Sequence, residues 1–127
     1  PEIKILDENL PILDPTILDS LQMLADEDDT NLVVEIINSF LNQSAQQLII
    51  LKKAILTTEL KTVERIAHSL KGASGYMGAS RLLKVFSNLE KQISLNELTD
   101  KTQLCELLTK EFELVKEQLI IYKSKFL

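Results

Sequence analysis

The residues best suited to chemistry lie in one stretch, residues 67–79, which holds the only histidine and all three glycines of the 127-residue chain. Within it, His68 is followed by Lys71 and Gly72. A single exposed imidazole can act as a nucleophile and carry a covalent group, and an imidazole keeps a neutral attacking nitrogen at cellular pH. An ammonium three residues later would lie near the ring and neutralise part of the charge of an anion bound there.

Helical periodicity places His68 on the outer side of a helix. With Leu70 at the centre of the buried face and about 100° between successive residues, His68 falls on the opposite side. The buried face is then composed of apolar and small residues, which suits a core: Val63, Ile66, Ala67, Leu70, Ala73, Ser74 and Met77. The solvent side shared with the histidine holds Lys61, Glu64, Arg65, Lys71, Gly72 and Gly75.

The glycines near the histidine indicate room for another molecule. Glycine inside a helix costs about 1 kcal/mol relative to alanine, and Gly72 lies one turn after His68 on the same stripe. A missing side chain there lets a partner approach the imidazole closely. On geometry alone, a plain surface histidine on a helix weakened by Gly72 and Gly75 explains the pattern equally well. Gly78 is predicted to end the helix.

The rest of the chain is predicted to form helices around this stretch. A length of 127 residues, 45% hydrophobic content, 3 Gly and 3 Pro predict one all-helical domain with a substantial core. Residues 1–13 are predicted to be an N-terminal leader that lies along the bundle surface, and residues 14–127 to be the helical domain. Apolar spacing predicts a short first helix to about residue 25, then four longer helices that form an antiparallel bundle.

Capping residues predict where these helices begin. Helix starts are predicted at Asp14–Pro15, at Thr57–Thr58, at Ser80 and at Asp100 with Gln103. The second helix is predicted to run over residues 30–56 and the third to end at Met77. The acidic run at residues 26–29 lacks the glycine and ligand alternation of a calcium-binding loop, so it is predicted to be a solvated turn.

Composition and motif content argue against several functions. A net charge of −5 disfavours a nucleic-acid partner. The single cysteine, Cys105, forms no intramolecular disulfide and suits a reducing compartment, so a cytoplasmic location is predicted. No apolar run approaches the ~20 residues of a membrane span. The chain has too few groups for a catalytic triad or a zinc site. It has no glycine-rich ATP loop, so it is predicted not to phosphorylate itself from ATP.

The motif Ala-His-Ser-Leu-Lys-Gly at residues 67–72, followed by Gly78-Ala79, resembles the signature of the histidine-containing phosphotransfer (HPt) domain family. That signature is usually His-x-Leu-Lys-Gly with Gly-Ala soon after. The resemblance covers about residues 14–126. One departure is Ala73-Ser74-Gly75, where the family more often has Ser-Ser or Ser-Ala and then a residue other than glycine. The resemblance implies an all-α fold, an antiparallel four-helix bundle with an additional short N-terminal helix.

The resemblance also implies roles for four residues in a phosphorelay. His68 would accept a phosphoryl group on Nε2 from a receiver-domain aspartate and pass it to another receiver aspartate. Lys71 would compensate the charge of the phosphate, and Gly72 would give clearance for the incoming active site. Glu90, on the next helix, would hold the other ring nitrogen, with an ordinary exposed glutamate as the alternative. The protein would need no cofactor or metal of its own, and magnesium is expected on the partner receiver domain.

The expected partners are response-regulator receiver domains and a hybrid sensor kinase, with the protein itself a monomer. The chain begins with Pro1 rather than methionine, which suggests the C-terminal module of such a kinase, with a standalone protein as the alternative. Two other classes stay open. In a dimeric autophosphorylating kinase domain, the histidine motif continues with an acidic residue and a later proline, unlike Ser69-Leu70-Lys71. An adaptor bundle without the reaction would have no need of His68 or Gly72.

Overall fold

The computed structural model of the chain describes residues 4–24, 32–98 and 100–126. Its helices are α1 (Pro15–Leu24), α2 (Leu32–Leu56), α3 (Leu60–Tyr76), α4 (Ser80–Ser94) and α5 (Lys101–Lys123), followed by a 3-10 turn at Ser124–Phe126. No strand occurs within the described ranges, so the all-α prediction is confirmed. The acidic run at residues 26–29 and the predicted start of the second helix at residue 30 lie outside the described residues.

The four long helices form the predicted bundle. Two contacts show that α2 and α5 run antiparallel, because a later residue of α2 contacts an earlier residue of α5. The Lys123 ammonium lies 2.8 Å from Asn38 Oδ1, and the Lys52 ammonium lies 2.9 Å from Thr109 Oγ1. α3 packs between α2 and α4, and α1 packs against α2. The helix that carries the histidine therefore has neighbours on two sides.

The core lies between the long helices and is built from the apolar stripe of each one. Burying such a side chain contributes about 1.5–3 kcal/mol, so the packed stripes hold the helices at fixed rotations. Side chains with 2% exposure or less represent every long helix: Ile37 and Leu51 of α2, Leu70 of α3, Phe86 and Leu89 of α4, and Leu108 and Leu119 of α5.

Two of the predicted helix starts have the expected cap. Asp14 Oδ1 accepts the N–H of Thr16 at 3.0 Å and its hydroxyl at 2.6 Å. Asp100 Oδ1 accepts the N–H of Gln103 at 3.0 Å. A carboxylate in this position satisfies one of the N–H groups left open at a helix N-terminus.

The other two predicted caps are wrong. The N-cap of α3 is Glu59 and that of α4 is Ala79, and neither side chain makes a capping hydrogen bond. Before α3, Thr58 adopts a left-handed φ of 57°, which uses it in the turn rather than as a cap. Before α4, the Ser80 hydroxyl donates to the carbonyl oxygen of Gly78 at 3.5 Å, so it points back along the chain.

Of the segment predicted to be a surface leader, the structure describes residues 4–13, and these contact α4. Within it, Ile5 is only 7% exposed and joins the core. The Asn88 side-chain amide donates to the carbonyl oxygens of Lys4 at 2.9 Å and Ile5 at 3.1 Å. The backbone N–H of Arg81 donates to the Pro11 carbonyl oxygen at 3.0 Å. Both ends of the described part of this segment are therefore fixed to α4.

Two polar contacts join distant parts of the bundle, and neither was expected from the sequence. Arg81 of α4 donates to both carboxylate oxygens of Glu111 on α5, from Nε at 2.6 Å and from Nη2 at 3.0 Å. Glu111 is 3% exposed, so this is a buried fork-shaped pair. The Tyr122 hydroxyl of α5 donates to Asp19 Oδ1 of α1 at 2.8 Å. Burial, then this hydrogen bond and the charge of Asp19, raise the pKa of Tyr122 to about 12.

Candidate functional site

The structure places His68 on the outer face of α3, with 72% of its side chain exposed. The opposite face is buried, as the periodicity predicts, and includes Val63, Ala67 and Leu70. Ser74 also lies in this face, where its hydroxyl donates to the Leu70 carbonyl oxygen at 2.7 Å. That bond satisfies the one polar group that the stripe carries into the core. The helix is therefore held in the bundle by its apolar side, and the imidazole projects from the opposite side.

The carboxylate of Glu90 reaches the imidazole from α4. Glu90 Oε2 lies 3.4 Å from His68 Nδ1, and Glu90 Oε1 lies 3.2 Å from the Lys71 ammonium. The three predicted side chains thus meet in one cluster, although 22 residues separate the histidine from the glutamate in sequence. Because Nδ1 faces the carboxylate, Nε2 lies on the side of the ring away from α4.

The cluster is partly sheltered from water. The side chain of Glu90 is 23% exposed and that of Lys71 is 34% exposed. Glu90 Oε1 itself is buried and accepts no hydrogen bond within the described part of the chain. The ammonium lies close enough for an ion pair, but its direction is not that of a hydrogen bond, so the contact is mainly electrostatic. A charge pair in this position is stronger than one in open water.

Two of the glycines in the motif have different surroundings. A Cβ at Gly72 would meet nothing within 4 Å, so the surface one turn after His68 is open. A Cβ at Gly75 would lie 2.9 Å from Leu83 Cδ1 of α4. Gly75 therefore allows α4 to pack closely against α3, and the prediction that it shares the open side of the histidine is wrong. At Gly75 the surface of α3 is occupied by Leu83 of α4.

The third glycine has a conformational role. Gly78 has a φ of 76°, a region that residues with a side chain rarely adopt. A Cβ there would lie 2.7 Å from the Asp14 carbonyl oxygen. The Asp14 N–H also donates to the Gly78 carbonyl oxygen at 2.7 Å. The glycine that ends α3, as predicted, thus also lets the start of α1 approach the turn between α3 and α4.

An open apolar hollow lies beside the histidine stripe and was missed in the sequence. It measures about 300 Å³ and is bounded by α2 and α3. Tyr76, about two turns after His68 and turned about 80° from it around α3, forms part of the edge of the hollow and is 55% exposed. The spacing of His68, Gly72 and Tyr76 was the available signal, because residues four apart share a helix face. The residues around the hollow are Ile36, Ser39, Phe40, Gln43, Ala73, Tyr76 and Met77.

Elsewhere, the described residues offer little further chemistry. Cys105 lies between α2 and α5 with its sulfur 3.7 Å from the Lys52 carbonyl oxygen. Burial raises the pKa of its thiol, while the positive charge of Lys52 opposes the shift. Within residues 4–24, 32–98 and 100–126, no three His, Cys, Asp or Glu side chains are grouped so as to hold a metal ion. None of the helices described is both long and apolar enough to cross a membrane.

Comparisons with known proteins agree with this geometry. A sequence model of the Hpt domain matches residues 35–118. Over 90 residues the chain is 26% identical to multistep phosphorelay regulator 1 of Schizosaccharomyces pombe, a match that covers 71% of this chain and only 30% of that protein. The crystal structure of histidine-containing phosphotransfer protein B (HptB) from Pseudomonas aeruginosa PAO1 matches with a TM-score of 0.79 at 29% identity. That match covers 91% of this chain and 96% of the other.

Proposed function

Because the chain belongs to the Hpt domain family, we propose that it is an intermediate of a two-component phosphorelay in which His68 carries the phosphoryl group. Members of this family are phosphotransfer carriers rather than kinases. One observation supports His68 above all. It is the only histidine of the chain, and it lies exposed beside a lysine and a carboxylate in the family motif.

The reaction transfers one phosphoryl group between a carboxylate and a ring nitrogen. The lone pair of His68 Nε2 attacks the phosphorus of a phosphoaspartate in the receiver domain. As the N–P bond forms, the bond between phosphorus and the aspartate oxygen breaks, and the carboxylate leaves with the electron pair. Attack by the carboxylate of a second receiver reverses these changes and restores the free imidazole. Such transfers depend mainly on positioning and charge stabilisation, which a bundle surface can supply.

Each neighbour of His68 has a separate part in this proposal. Glu90 engages Nδ1 from 3.4 Å, which favours the ring tautomer that has its proton on Nδ1 and its lone pair on Nε2. The ammonium of Lys71 offsets the negative charge of the phosphoryl oxygens. Gly72 leaves the space through which the receiver approaches, since nothing lies within 4 Å of the Cβ position. The hollow beside Tyr76 gives the partner an apolar surface about two helical turns from His68.

The proposal includes the cellular setting. The partners are response-regulator receiver domains and a hybrid sensor kinase, and the receiver provides the magnesium ion. The protein works as a cytoplasmic monomer without nucleic-acid contacts or membrane insertion. It does not phosphorylate itself from ATP, since the sequence holds no glycine-rich nucleotide loop. The support for this setting is the family, together with the acidic composition of the chain.

The test is incubation with a ³²P-labelled phosphorylated receiver domain and magnesium, with the wild type beside His68→Gln. We expect base-stable, acid-labile label on the wild type alone, while both proteins give the same circular dichroism spectrum because the side chain is mostly exposed. Label on both proteins would place the acceptor elsewhere. Binding of receivers without any transfer would support the adaptor function, and labelling by ATP alone would support a kinase.

A further inference from the structure

The Lys71 ammonium, which would stabilise a phosphoryl group on His68, is already paired with the carboxylate of Glu90. Lys71 is 3.2 Å from Glu90 Oε1, and this pair sits immediately beside the imidazole. One ammonium cannot approach two anionic groups equally closely when they lie on different sides of a ring. The free protein thus has its positive charge directed towards α4, whereas the reacting nitrogen is on the other side.

We propose that Glu90 and the phosphoryl group on His68 compete for the Lys71 ammonium, so that Glu90 weakens retention of the phosphoryl group and favours its onward transfer. This inference rests on the proposed function. It assigns Glu90 a second role, distinct from orienting the ring. Glu90 is a positioning residue here, because it acts through Lys71 rather than on the reacting atoms.

The burial of Glu90 gives the competition its strength. A phosphoryl group carries up to about two negative charges near neutral pH, and it attracts the Lys71 ammonium, the one that contacts the cluster among the described residues. When Lys71 turns towards it, Glu90 Oε1 loses its counter-ion. That oxygen is shielded from water and accepts no hydrogen bond from the described residues. Leaving a partly buried charge unpaired is unfavourable, so the phosphorylated state carries a penalty that a neutral side chain at position 90 would remove.

The surroundings of the cluster provide a matched control. On α3, Glu64 lies one turn before His68 and is exposed, and Arg65 is exposed as well. On the α2 side, the nearest described contact is neutral, with Gln47 Nε2 3.5 Å from Ser69 Oγ. No ion pair of the described residues includes Glu64, so Glu64→Gln removes the same charge from the same face without freeing Lys71.

The experiment measures the equilibrium constant for phosphoryl exchange between this protein and the receiver domain that labels it. The pH is held at 8 for every variant. The proteins are the wild type, Glu90→Gln, Lys71→Gln, the double variant and Glu64→Gln, each checked for its fold by circular dichroism. We expect Glu90→Gln to shift the equilibrium three- to tenfold towards phosphohistidine, and Glu64→Gln less than twofold.

The double variant separates competition from simple repulsion. If Glu90 acts by holding Lys71, the gain from Glu90→Gln falls below twofold in the Lys71→Gln background. An undiminished gain there would mean that Glu90 repels the phosphoryl group directly, and the inference would be wrong. Glu90→Gln with an unchanged or lower phosphohistidine fraction would also overturn it.

A receiver-independent measurement distinguishes failure of the inference from failure of the proposed function. Potassium phosphoramidate transfers its phosphoryl group to a histidine nitrogen as its N–P bond breaks and ammonia leaves. With the protein charged in this way, the ¹³C resonance of the Glu90 carboxylate is expected to move, whereas that of Glu64 stays in place. A stationary Glu90 resonance would overturn the competition. Charging by phosphoramidate without transfer from any receiver would instead contradict the phosphorelay function.

Discussion

Filling the open space at Gly72 should make the protein more stable and less active. Gly72 lies inside α3, and a Cβ there would contact nothing within 4 Å. Gly72→Ala therefore gains helix propensity with no steric cost, about 0.5–1 kcal/mol of unfolding free energy. For a domain of this size that corresponds to a rise in Tm of about 3–5 °C. Gly72→Gln should recover most of this gain, because glutamine is also a good helix former.

The transfer rate should move in the opposite direction. The glutamine side chain would extend from the turn next to His68, into the path of the receiver. Displacing reacting atoms by about 1 Å can slow a reaction by about a hundredfold, so we expect Gly72→Gln to reduce kcat/KM for transfer at least tenfold. Gly72→Ala, with only a methyl group, should reduce it by a few-fold at most.

Two further variants control for the two effects. Gly75→Ala has the same propensity gain, but its Cβ would lie 2.9 Å from Leu83 Cδ1, so it should stabilise less than Gly72→Ala. Thr102→Gln adds a glutamine at an exposed position on α5 and should leave transfer unchanged. Urea unfolding and single-turnover transfer from a phosphorylated receiver measure both properties. Transfer at the wild-type rate by Gly72→Gln would refute the clearance argument, and a loss of stability in Gly72→Ala would refute the open space.

Two other predictions concern the contacts between distant helices. Glu111→Ala should lower the unfolding free energy by about 3–5 kcal/mol in urea titrations, because Arg81 keeps a charge in a buried place. Arg81→Met combined with Glu111→Leu should recover most of this loss, and a double variant as unstable as the single one would contradict the explanation. The pKa of Tyr122 is raised to about 12 in the folded state, where the neutral phenol is favoured. Its contribution to the free energy of unfolding is therefore complete below pH 10 and is lost between pH 10 and about 12. Thermal unfolding of Tyr122→Phe should show a smaller decline over that interval, and an identical decline would count against the contact with Asp19.

The orientation of His68 was predictable because it depends on the helix alone. The 3.6-residue repeat in residues 60–76 determines which side chains are buried, and the apolar stripe that includes Leu70 left His68 on the other side. The carboxylate caps were likewise local: Asp14 and Asp100 each bond a backbone N–H two or three residues away. In both cases the interacting groups are close together in sequence.

The errors and omissions depend on where another helix passes. The angle of Gly75 around α3 is that of an exposed residue, but Leu83 of α4 crosses there. Arg81 and Glu111 are 30 residues apart, and no periodicity pairs one particular arginine with one particular glutamate. The position of Glu90 was suggested by the family resemblance rather than by spacing. Its simultaneous contact with Lys71 could only be seen once α3 and α4 were packed together.

The fork between Arg81 and Glu111 has a consequence for Glu90, which lies about two and a half turns further along α4. The fork joins the first turn of α4 to α5. The hydrogen bonds from Asn88 to Lys4 and Ile5 join the same helix to the N-terminal segment just before Glu90. Between these two contacts, the distance along α4 is fixed by the helical rise of about 1.5 Å per residue. The contact of α4 with α5 at Arg81 therefore helps to set the position of the Glu90 carboxylate beside the imidazole. A substitution at Glu111 is therefore expected to shift the position of the carboxylate beside His68, although Glu111 itself lies outside that cluster.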